Sequence, residues 1–551
     1  MSKFLLALLA TVFTPAIAEA APPPKQPKLI VMIAVDQFSA ELWDRYKANY
    51  TGGLKRLGEG IAYARGYQSH AATETCPGHS TMLTGRHPAG TGIVANDWLD
   101  RATGESIYCV SVPGQPGATV RGPQNLRAET LGDWMKTANP ANRVVTISGK
   151  DRAAIMLAGH KADAVYWWND GEGFITSPLA GPATPAVTGP AAAFNADLIA
   201  RWRQAPPALW PAEAPASCAA LARPHRFGTF AESGRIPPEF AQGVTDGPDF
   251  AASPAFQLQF RSSALFDPTV MDFTDKVIDG MHLGHGAGTD LLAVSFSATD
   301  YIGHRYGNGG AEMCVQMQVI DATIGRLLAR LDGLGVPYVV ALTADHGATD
   351  AAERSTENGV PAQRIDAKGV VKALNANLRS KLSLNADPFV FADANELYLR
   401  PGLDAATASS AMAAALPWLK ARPEVADVRT RAEIAAVAMP RGAPRRLTIP
   451  QRYRESFDPA RSGDLFIAFR PRASIGMPAK FGDSVAGHGS VWDYDRRVPI
   501  LFWWPGIVAA TPSAAAETVD IAPTLAAIAH VPAPPVDGTC LKRVAASACH
   551  R

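Results

Sequence analysis

The chain has 551 residues, of which 47% are hydrophobic and 19% charged, a composition typical of globular proteins that excludes an intrinsically disordered chain. This length is enough for a large core and either several domains or one domain with insertions. The formal net charge of +1 gives no broad basic footprint for binding nucleic acid.

The first twenty residues have the pattern of an export signal. Lys3 supplies a positive start, Phe4 to Phe13 form a short apolar run, and Ala18 to Ala20 resemble a small-residue cleavage site. The apolar run is too short to span a bilayer, so we expect no membrane anchor. The sequence therefore predicts a signal peptide at 1–20 and a mature chain, 21–551, that is periplasmic or secreted.

Cysteine usage agrees with export. The chain has six cysteines, and an even number in an exported protein favours disulfides. Cys540 and Cys549 are close enough in sequence to close a local loop at the C-terminus. Spacing alone does not pair the others, which are Cys76, Cys109, Cys218 and Cys314.

Apolar runs of strand length alternate along the chain with segments of helical spacing. Such runs suit parallel strands that are buried on both faces. We predict strands at 28–35, 61–68, 143–148, 163–168, 290–297, 336–343, 464–469 and 499–504, and helices at 41–57, 275–282, 311–334 and 518–530. This alternation predicts an α/β fold with a mostly parallel, doubly wound sheet that is flanked by helices.

Two segments depart from this pattern, at about 171–270 and about 369–443. The first is rich in Pro, Ala and Gly with weak periodicity, and the second contains its own helices and a strand. We interpret both as insertions into a single large domain, 21–551, that cap the functional edge of the sheet.

Polar side chains follow several of the predicted strands at their C-terminal ends. They are Asp36, Lys150, Asp300, Asp345 and His346. In open α/β sheets, ligands bind outside the carboxyl ends of the strands. The sequence therefore predicts one functional site at this edge.

The Asp and His residues have the chemistry of metal ligands. Asp300 and His304 lie four residues apart, Asp345 and His346 are adjacent, and His488 lies between two glycines. Zinc takes nitrogen and oxygen ligands, usually four for each ion. With Asp36 and the oxygen of Thr75 the set has seven members, which fits two Zn²⁺ ions with an open position. Each piece alone has a plainer interpretation, such as a helix cap or a surface residue.

The segment 71–97 holds the candidate nucleophile. Thr75 precedes a turn formed by Cys76, Pro77 and Gly78, and a helix can begin at Ser80. This arrangement would aim the hydroxyl at a helix N-terminus, where anions are favoured. A threonine hydroxyl is a poor nucleophile until a base or a metal activates it. A catalytic role for Thr75 therefore requires a nearby group such as the predicted metal ligands.

Taken together, these residues resemble the alkaline phosphatase superfamily of metalloenzymes. The resemblance rests on the order Asp36, Thr75, Asp300-x-x-x-His304, Asp345-His346 and Gly487-His488-Gly489. Asn96 and the stretch Ser148-Gly-Lys150-Asp-Arg152 look like the threonine-nucleophile, phosphate-irrepressible bacterial branch, the PafA type. The likeness extends to Val519-Asp-Ile-Ala-Pro-Thr524 and covers essentially the whole mature chain.

The resemblance implies a role for each site residue. One zinc would be held by Asp300, His304 and His488, and the other by Asp36, Asp345 and His346 with the Thr75 oxygen. Asn96, Lys150 and Arg152 would bind phosphoryl oxygens. The implied activity is hydrolysis of small phosphate monoesters through a phosphothreonine intermediate.

Three alternatives remain beside this interpretation. Sulfatases share the fold but place a Cys in C-x-P-x-R, whereas here Thr75 occupies the nucleophile position and His79 replaces the Arg. Phosphodiesterase relatives also use Thr with two zinc ions, and only Lys150 and Arg152 favour a doubly charged monoester over a diester. The third alternative is an exported protein that binds metal or phosphate without catalysis.

Overall fold

The structure is a computed structural model that describes residues 23, 26–115, 120–247 and 249–550. The predicted export signal, 1–20, lies outside the described residues. The strands are β1 (Leu29–Val35), β2 (Ile61–Tyr63), β3 (Gly66–Tyr67), β4 (Asp97–Leu99), β5 (Ser106–Tyr108), β6 (Val144–Ser148), β7 (Ala164–Asn169), β8 (Gly173–Ile175), β9 (His225–Phe227), β10 (Phe230–Glu232), β11 (Asp290–Phe296), β12 (Tyr338–Thr343), β13 (Gln363–Ile365), β14 (Phe389–Ala392), β15 (Glu396–Leu399), β16 (Val425–Thr430), β17 (Leu465–Phe469), β18 (Ala473–Ile475), β19 (Ile500–Trp503) and β20 (Ala516–Glu517).

Helices separate most of these strands. They are α1 (Ala40–Tyr46), α2 (Gly53–Gly58), α3 (Thr75–Thr84), α4 (Pro88–Thr91), α5 (Leu131–Ala138), α6 (Asp151–Ala158), α7 (Pro185–Gln204), α8 (Pro254–Arg261), α9 (Phe266–Gly280), α10 (Ala298–Tyr306), α11 (Ala311–Gly333), α12 (Ala352–Glu357), α13 (Ala367–Leu382), α14 (Ala405–Lys420), α15 (Arg431–Ala436), α16 (Ile449–Ser456), α17 (Asp493–Arg496), α18 (Ile521–Ile528) and α19 (Lys542–Ala545).

The centre of the molecule is an eight-stranded sheet with the order β2-β19-β12-β1-β11-β6-β7-β8. The strands β12, β1, β11, β6 and β7 pair in parallel, while β19 and β8 pair antiparallel with their neighbours. Helices flank this sheet, so the predicted α/β fold with a mostly parallel sheet is confirmed. The carboxyl ends of β12, β1, β11 and β6 consequently meet at one edge.

Burial explains why the middle strand is apolar throughout. Every residue of β1, with the sequence LIVMIAV, is fully buried, because β11 and β12 pair with it on either side and helices cover both faces. A strand buried in this way cannot alternate between polar and apolar residues. Asp36, the residue that follows β1, is therefore the first polar side chain after a fully apolar strand.

A second, smaller sheet of four strands has the order β14-β15-β17-β16 and packs with α13 and α14 around its own hydrophobic cluster. It lies largely within the second predicted insertion, and β17 follows that segment in sequence. Within the first predicted insertion, β8 forms an edge of the central sheet, and Phe194 and Trp202 of α7 join the main core. The insertion boundaries at 171–270 and 369–443 stay a prediction.

One predicted helix is wrong in its continuity. The helix expected at 41–57 is divided into α1 and α2. The Asp321 carboxylate accepts hydrogen bonds from the backbone N–H groups of Thr51, Gly52 and Leu54, which caps the start of α2. The cap comes from α11, more than 250 residues away in sequence, so local spacing could not reveal it. The strand expected at 61–68 is similarly divided into β2 and β3.

Three disulfides tie the chain together: Cys76–Cys109, Cys218–Cys314 and Cys540–Cys549. The predicted C-terminal loop closure by Cys540 and Cys549 is confirmed. In the described part of the chain, no helix combines the length and apolar character that crossing a membrane requires.

Candidate active site

The polar residues that follow the central strands come together as predicted. Asp36 follows β1, Lys150 caps the start of α6 after β6, and Asp300 lies in the first turn of α10 after β11. Asp345 and His346 follow β12. All five are at most 3% exposed. The parallel strands thus gather three carboxylates, an imidazole and an ammonium in one buried region.

The first of two ligand-like groups contains Asp36, Asp345 and His346, all fully buried. His346 Nε2 lies 3.6 Å from Asp36 Oδ1 and 3.3 Å from Asp345 Oδ2. Among the described residues, Asp36 Oδ1 and His346 Nε2 have no hydrogen-bond partner. Leaving such atoms buried and unpaired is costly unless a ligand occupies the space between them, so this group fits a cation.

The second group contains Asp300, His304 and His488. Asp300 Oδ1 lies 3.3 Å from His304 Nε2 and 3.5 Å from His488 Nε2, and the two Nε2 atoms are 3.2 Å apart. The rings of His346 and His488 stack with their centroids 3.6 Å apart. The two groups are therefore adjacent, and His346 lies between them.

Backbone carbonyls fix the tautomers of all three imidazoles. Nδ1 of His304 contacts the carbonyl oxygen of Ala486 at 3.0 Å, Nδ1 of His488 that of Thr73 at 2.7 Å, and Nδ1 of His346 that of Gly347 at 3.0 Å. A carbonyl can only accept, so each Nδ1 carries a proton, and in the neutral ring each Nε2 presents a lone pair. Metal-binding histidines are oriented in this way.

Lys150 joins the two groups. Its Nζ lies 2.6 Å from Asp36 Oδ2 and 2.5 Å from Asp300 Oδ2, and it sits 4.8 Å from the centre of the Tyr301 ring. Although burial disfavours the charged amine, the two carboxylates raise the pKa of Lys150 above its usual value. One ammonium is thus shared by the carboxylates of both groups.

The carboxyl groups of Asp36 and Asp300 differ in the direction of their pKa shifts. Burial and the neighbouring Asp345 raise the pKa of Asp36 well above its usual range. Burial acts on Asp300 in the same direction, but Lys150 and His304 together hold its pKa well below the usual range. Burial lowers the pKa of His346 to about 3, which keeps its imidazole neutral and available as a ligand.

Thr75 is the first residue of α3, so this helix begins five residues before the predicted start at Ser80. The helix N-terminus favours an anion close to the hydroxyl. A Cβ on Gly78, one turn along, would overlap the backbone carbonyl of Asp345. This close packing holds the helix that carries Thr75 against the end of β12, where the first ligand-like group lies.

Two of the three predicted phosphoryl-binding residues, Arg152 and Asn96, lie beside Thr75, whereas Lys150 contacts Asp36 and Asp300. Arg152 Nη2 lies 3.4 Å from Thr75 Oγ1, and Arg152 Nη1 lies 3.3 Å from the Tyr108 hydroxyl. Asn96 Oδ1 accepts a hydrogen bond of 2.9 Å from the backbone N–H of Cys76, and Asn96 N donates to Glu74 Oε2. Arg152 and Asn96 consequently approach the hydroxyl from different elements.

A cavity of about 290 Å³ is lined by Thr75 and by the second ligand-like group, while Asp36, Lys150, Asp345 and His346 are absent from its lining. It opens to solvent and is large enough for a small ester. Its lining residues are Glu74, Thr75, Asn96, Arg152, Asp300, His304, Asp393, Ala473, Ile475, Ser484, Ala486, Gly487 and His488. Asp393, Ala473 and Ile475 come from the region of the second sheet and from β18, which thus cover part of the site.

The sequence interpretation missed two supporting residues: His79, which contacts Thr75, and Tyr108, which contacts Arg152. His79 bonds through Nδ1 to the Thr75 carbonyl and through Nε2 to Ser295 Oγ, both at 2.9 Å, and lies 3.2 Å from Asp345 Oδ2. Its spacing of four residues from Thr75 in a helix was the available signal. Tyr108 contacts Arg152 from the short β4–β5 hairpin. Nothing in the sequence around Tyr108 indicated this contact.

Comparison with known proteins gives consistent matches. The sequence profile of the family described as type I phosphodiesterase/nucleotide pyrophosphatase matches residues 30–490. The alkaline phosphatase PhoK of Sphingomonas sp. is 43% identical over 94% of this chain and 91% of its own length. The alkaline phosphatase PhoD of Zymomonas mobilis is 40% identical over 93% of this chain and 88% of its own.

A solved structure gives the same result. The crystal structure of wild-type alkaline phosphatase PafA superposes with a TM-score of 0.80 at 25% sequence identity, covering 94% of this chain and 99% of that one. The alkaline phosphatase PafA of Elizabethkingia meningoseptica is also similar in sequence, at 28% identity over 92% of both chains. The similarity thus extends over nearly the full length in both sequence and fold.

Proposed function

This chain belongs to the type I phosphodiesterase/nucleotide pyrophosphatase family of the alkaline phosphatase superfamily, and we propose that it is an exported, two-zinc phosphatase that hydrolyses small phosphate monoesters through phosphothreonine. The observation that carries the proposal is the shared cavity. Thr75, Arg152 and the Asp300–His304–His488 group all line it. The proposed nucleophile, anion-binding group and metal ligands therefore face the same cavity.

The proposal assigns the two cations to the two buried groups. Asp36, Asp345 and His346 would hold one together with Thr75 Oγ1, and Asp300, His304 and His488 would hold the other. When bound, such ions lower the pKa of a coordinated hydroxyl and stabilise the charge that develops on the oxygens of an in-line displacement. The lone pairs of the Nε2 atoms and the unpaired Asp36 Oδ1 support this assignment.

Thr75 carries the covalent steps. Its Oγ1 attacks phosphorus, the bond between phosphorus and the ester oxygen breaks, and the alcohol leaves. Water then attacks the phosphothreonine, the bond between phosphorus and Oγ1 breaks, and inorganic phosphate is released. The position of Thr75 at the start of α3 supports this role, because a negative phosphoryl group on Oγ1 would lie at the positive end of that helix.

Three side chains orient the phosphoryl group. Arg152 presents a planar pair of N–H donors beside Thr75 Oγ1. Asn96 is held by its Oδ1, which leaves its amide N–H groups for the substrate. Lys150 donates one N–H to Asp300 Oδ2 and forms an ion pair with Asp36 Oδ2, and since an ammonium has three N–H donors, a further one would remain for a phosphoryl oxygen.

The same donors favour monoesters over diesters. A monoester carries two negative charges on its non-bridging oxygens and a diester carries one, so a Lys–Arg pair stabilises the monoester more. Hydrolysis of phenyl phosphate should therefore exceed that of its methyl diester. The opposite preference would assign the chain to the phosphodiesterases of the superfamily.

Replacing the nucleophile tests the mechanism directly. Thr75→Ala should lose at least about a thousandfold in kcat, because it removes the hydroxyl that the proposal makes the nucleophile. It should retain its zinc content, since the other six ligands remain. Thr75→Ser is the matched control and should keep measurable turnover. A Thr75→Ala protein with wild-type kcat would overturn the phosphothreonine mechanism.

The three disulfides support export, because such bonds persist in oxidising compartments. N-terminal sequencing of the protein recovered from the periplasm or the medium should begin near Ala21. Recovery of the intact N-terminus from the cytoplasm alone would contradict export.

A further inference from the structure

His87, Glu455 and Glu517 form a cluster of one imidazole and two carboxylates outside the lining of the catalytic cavity. His87 follows α3, Glu455 lies in the last turn of α16, and Glu517 ends β20. His87 Nε2 lies 3.9 Å from Glu455 Oε1 and 3.8 Å from Glu517 Oε2. One imidazole and two carboxylates from three distant parts of the chain thus converge on one point.

These three side chains are largely removed from solvent. The side chain of Glu455 is 4% exposed, that of His87 10% and that of Glu517 23%. Among the described residues, Glu455 Oε2 and Glu517 Oε2 have no hydrogen-bond partner. A buried carboxylate oxygen without a donor carries a large desolvation penalty. Although burial opposes it, the two glutamates raise the pKa of His87, and a single imidazolium would still leave one of the two negative charges uncompensated.

The neighbouring cation is already engaged. Arg496 donates to the carbonyl oxygens of Ser69 and Pro444 and to Asp493. Its charge acts on Glu517 only at longer range. Two carboxylates therefore face one imidazole, and the cluster has an excess of negative charge.

The imidazole is oriented as a ligand. His87 Nδ1 lies 3.4 Å from Ser69 Oγ, so its Nε2 faces the two carboxylates. Nε2 is too far from either carboxylate for a hydrogen bond. Ligands of a tetrahedral zinc ion lie about 3.4 Å apart, given metal–ligand bonds of about 2.0–2.2 Å. A small inward movement of the glutamates would therefore complete the shell.

We propose that His87, Glu455 and Glu517 bind one divalent transition-metal ion of the zinc type, separate from the catalytic pair. A ligand set with one imidazole favours such an ion over Ca²⁺ or Mg²⁺, which prefer oxygen ligands alone. The ion is structural. It joins the segment after α3 to α16, whose Ser456 Oγ accepts hydrogen bonds from Ala71 N and Ala72 N just before Thr75.

Metal counting tests the site without an activity measurement. The full chain is stripped with a chelator, equilibrated with Zn²⁺ near pH 7.5, dialysed and analysed by mass spectrometry for zinc per chain. Glu455→Gln and Glu517→Gln should each bind one ion fewer than the wild type. Neither change alters a residue of the two catalytic groups, so the amount of zinc bound at those groups should be the same in all samples.

Glu396→Gln is the matched control. Glu396 is a buried glutamate outside the cluster, and burial raises the pKa of its carboxyl group to about 8, so the amide resembles its neutral form. This variant should bind as many zinc ions as the wild type. Equal zinc content in the wild type and in folded Glu455→Gln and Glu517→Gln would overturn the proposal.

Diffraction gives a test that needs no variant. Wild-type crystals equilibrated with Zn²⁺ and measured at the zinc absorption edge should show an anomalous peak about 2 Å from His87 Nε2. A map with peaks at the catalytic groups and none here would overturn the proposal and leave the proposed function intact.

Discussion

The residues around Thr75 differ in how firmly the fold holds them. The imidazoles of His304, His346 and His488 are each fixed by an Nδ1–H bond to a backbone carbonyl, at 2.7–3.0 Å. Arg152 has longer contacts of 3.3 and 3.4 Å, with Tyr108 and Thr75. The imidazole nitrogens proposed as metal ligands are thus pre-organised, while the guanidinium has room to adjust to the ester proposed as its ligand.

Asn96 provides a prediction that separates hydrogen bonding from charge. Asn96→Ala removes the amide donors and should lower kcat/KM for an aryl phosphate about a hundredfold. Asn96→Asp keeps the acceptor for Cys76 N–H but places an anion beside the phosphoryl group, so its loss should be larger. Steady-state kinetics on both variants, with zinc content as the control, would check this. Higher activity in Asn96→Asp than in Asn96→Ala would contradict the phosphoryl-binding role.

Arg152 provides a prediction about substrate preference. Arg152→Ala should lower kcat/KM for the monoester about a hundredfold, because it loses charge-assisted hydrogen bonds worth about 3 kcal/mol. The loss for the methyl diester should be clearly smaller. Arg261→Ala is the matched control, since Arg261 contacts Tyr301 and Asp170 and is absent from the cavity lining. Equal losses on both substrates would count against the role of Arg152 in binding the doubly charged phosphoryl group.

At the scale of elements, α3 connects several parts of the site. It begins at Thr75, is linked through Cys76–Cys109 to the end of the β4–β5 hairpin, and packs through Gly78 on the residue after β12. Asn96 immediately precedes β4 and accepts from Cys76 N–H. The disulfide and this hydrogen bond therefore hold the nucleophile and Asn96 in one rigid unit.

Gly78→Ala should reveal this close packing. Alanine favours helices more than glycine does, yet the added methyl group would force α3 away from the Asp345 carbonyl. We expect a loss of about 1–3 kcal/mol in the free energy of unfolding and a fall in kcat. Gly189→Ala in α7 is the control, because a Cβ there meets nothing within 4 Å and should stabilise by up to about 1 kcal/mol. Chemical denaturation of both variants measures the change in the free energy of unfolding. A Gly78→Ala protein with wild-type stability and activity would refute the close packing of α3 on Asp345.

At the scale of the whole molecule, buried acids make stability depend on pH. Burial raises the pKa of Glu396 to about 8, and burial together with Glu312 raises that of Glu232 to about 9. Both carboxyls ionise near pH 4.5 in the unfolded chain. Between these values the folded chain binds more protons than the unfolded chain, so stability decreases as pH rises.

Glu396→Gln should reduce this dependence. The amide cannot ionise, so the contribution that the wild type loses as pH rises through about 8 is absent from the variant. Melting temperatures measured from pH 6 to pH 9 should fall less steeply for Glu396→Gln than for the wild type. Parallel curves would show that Glu396 does not titrate in this range.

The sequence by itself determined the central sheet and the polar residues that meet at its functional edge. Fully buried parallel strands need continuous apolar runs, and these are visible without a structure, as is the polar residue that follows each one. Since parallel strands end at the same edge, Asp36, Lys150, Asp300, Asp345 and His346 could be assigned to one site. The Cys540–Cys549 loop was equally local.

Only the tertiary structure decided the remaining features, because each depends on groups far apart in the chain. Asp321 divides the helix predicted at 41–57, β17 joins the second sheet, and Lys150 lies between Asp36 and Asp300. Tyr108 contacts Arg152, and His79 contacts Ser295 and Asp345, across long distances in sequence that periodicity does not encode. Likewise, His87, Glu455 and Glu517 share no motif, and the fold alone brings their side chains together.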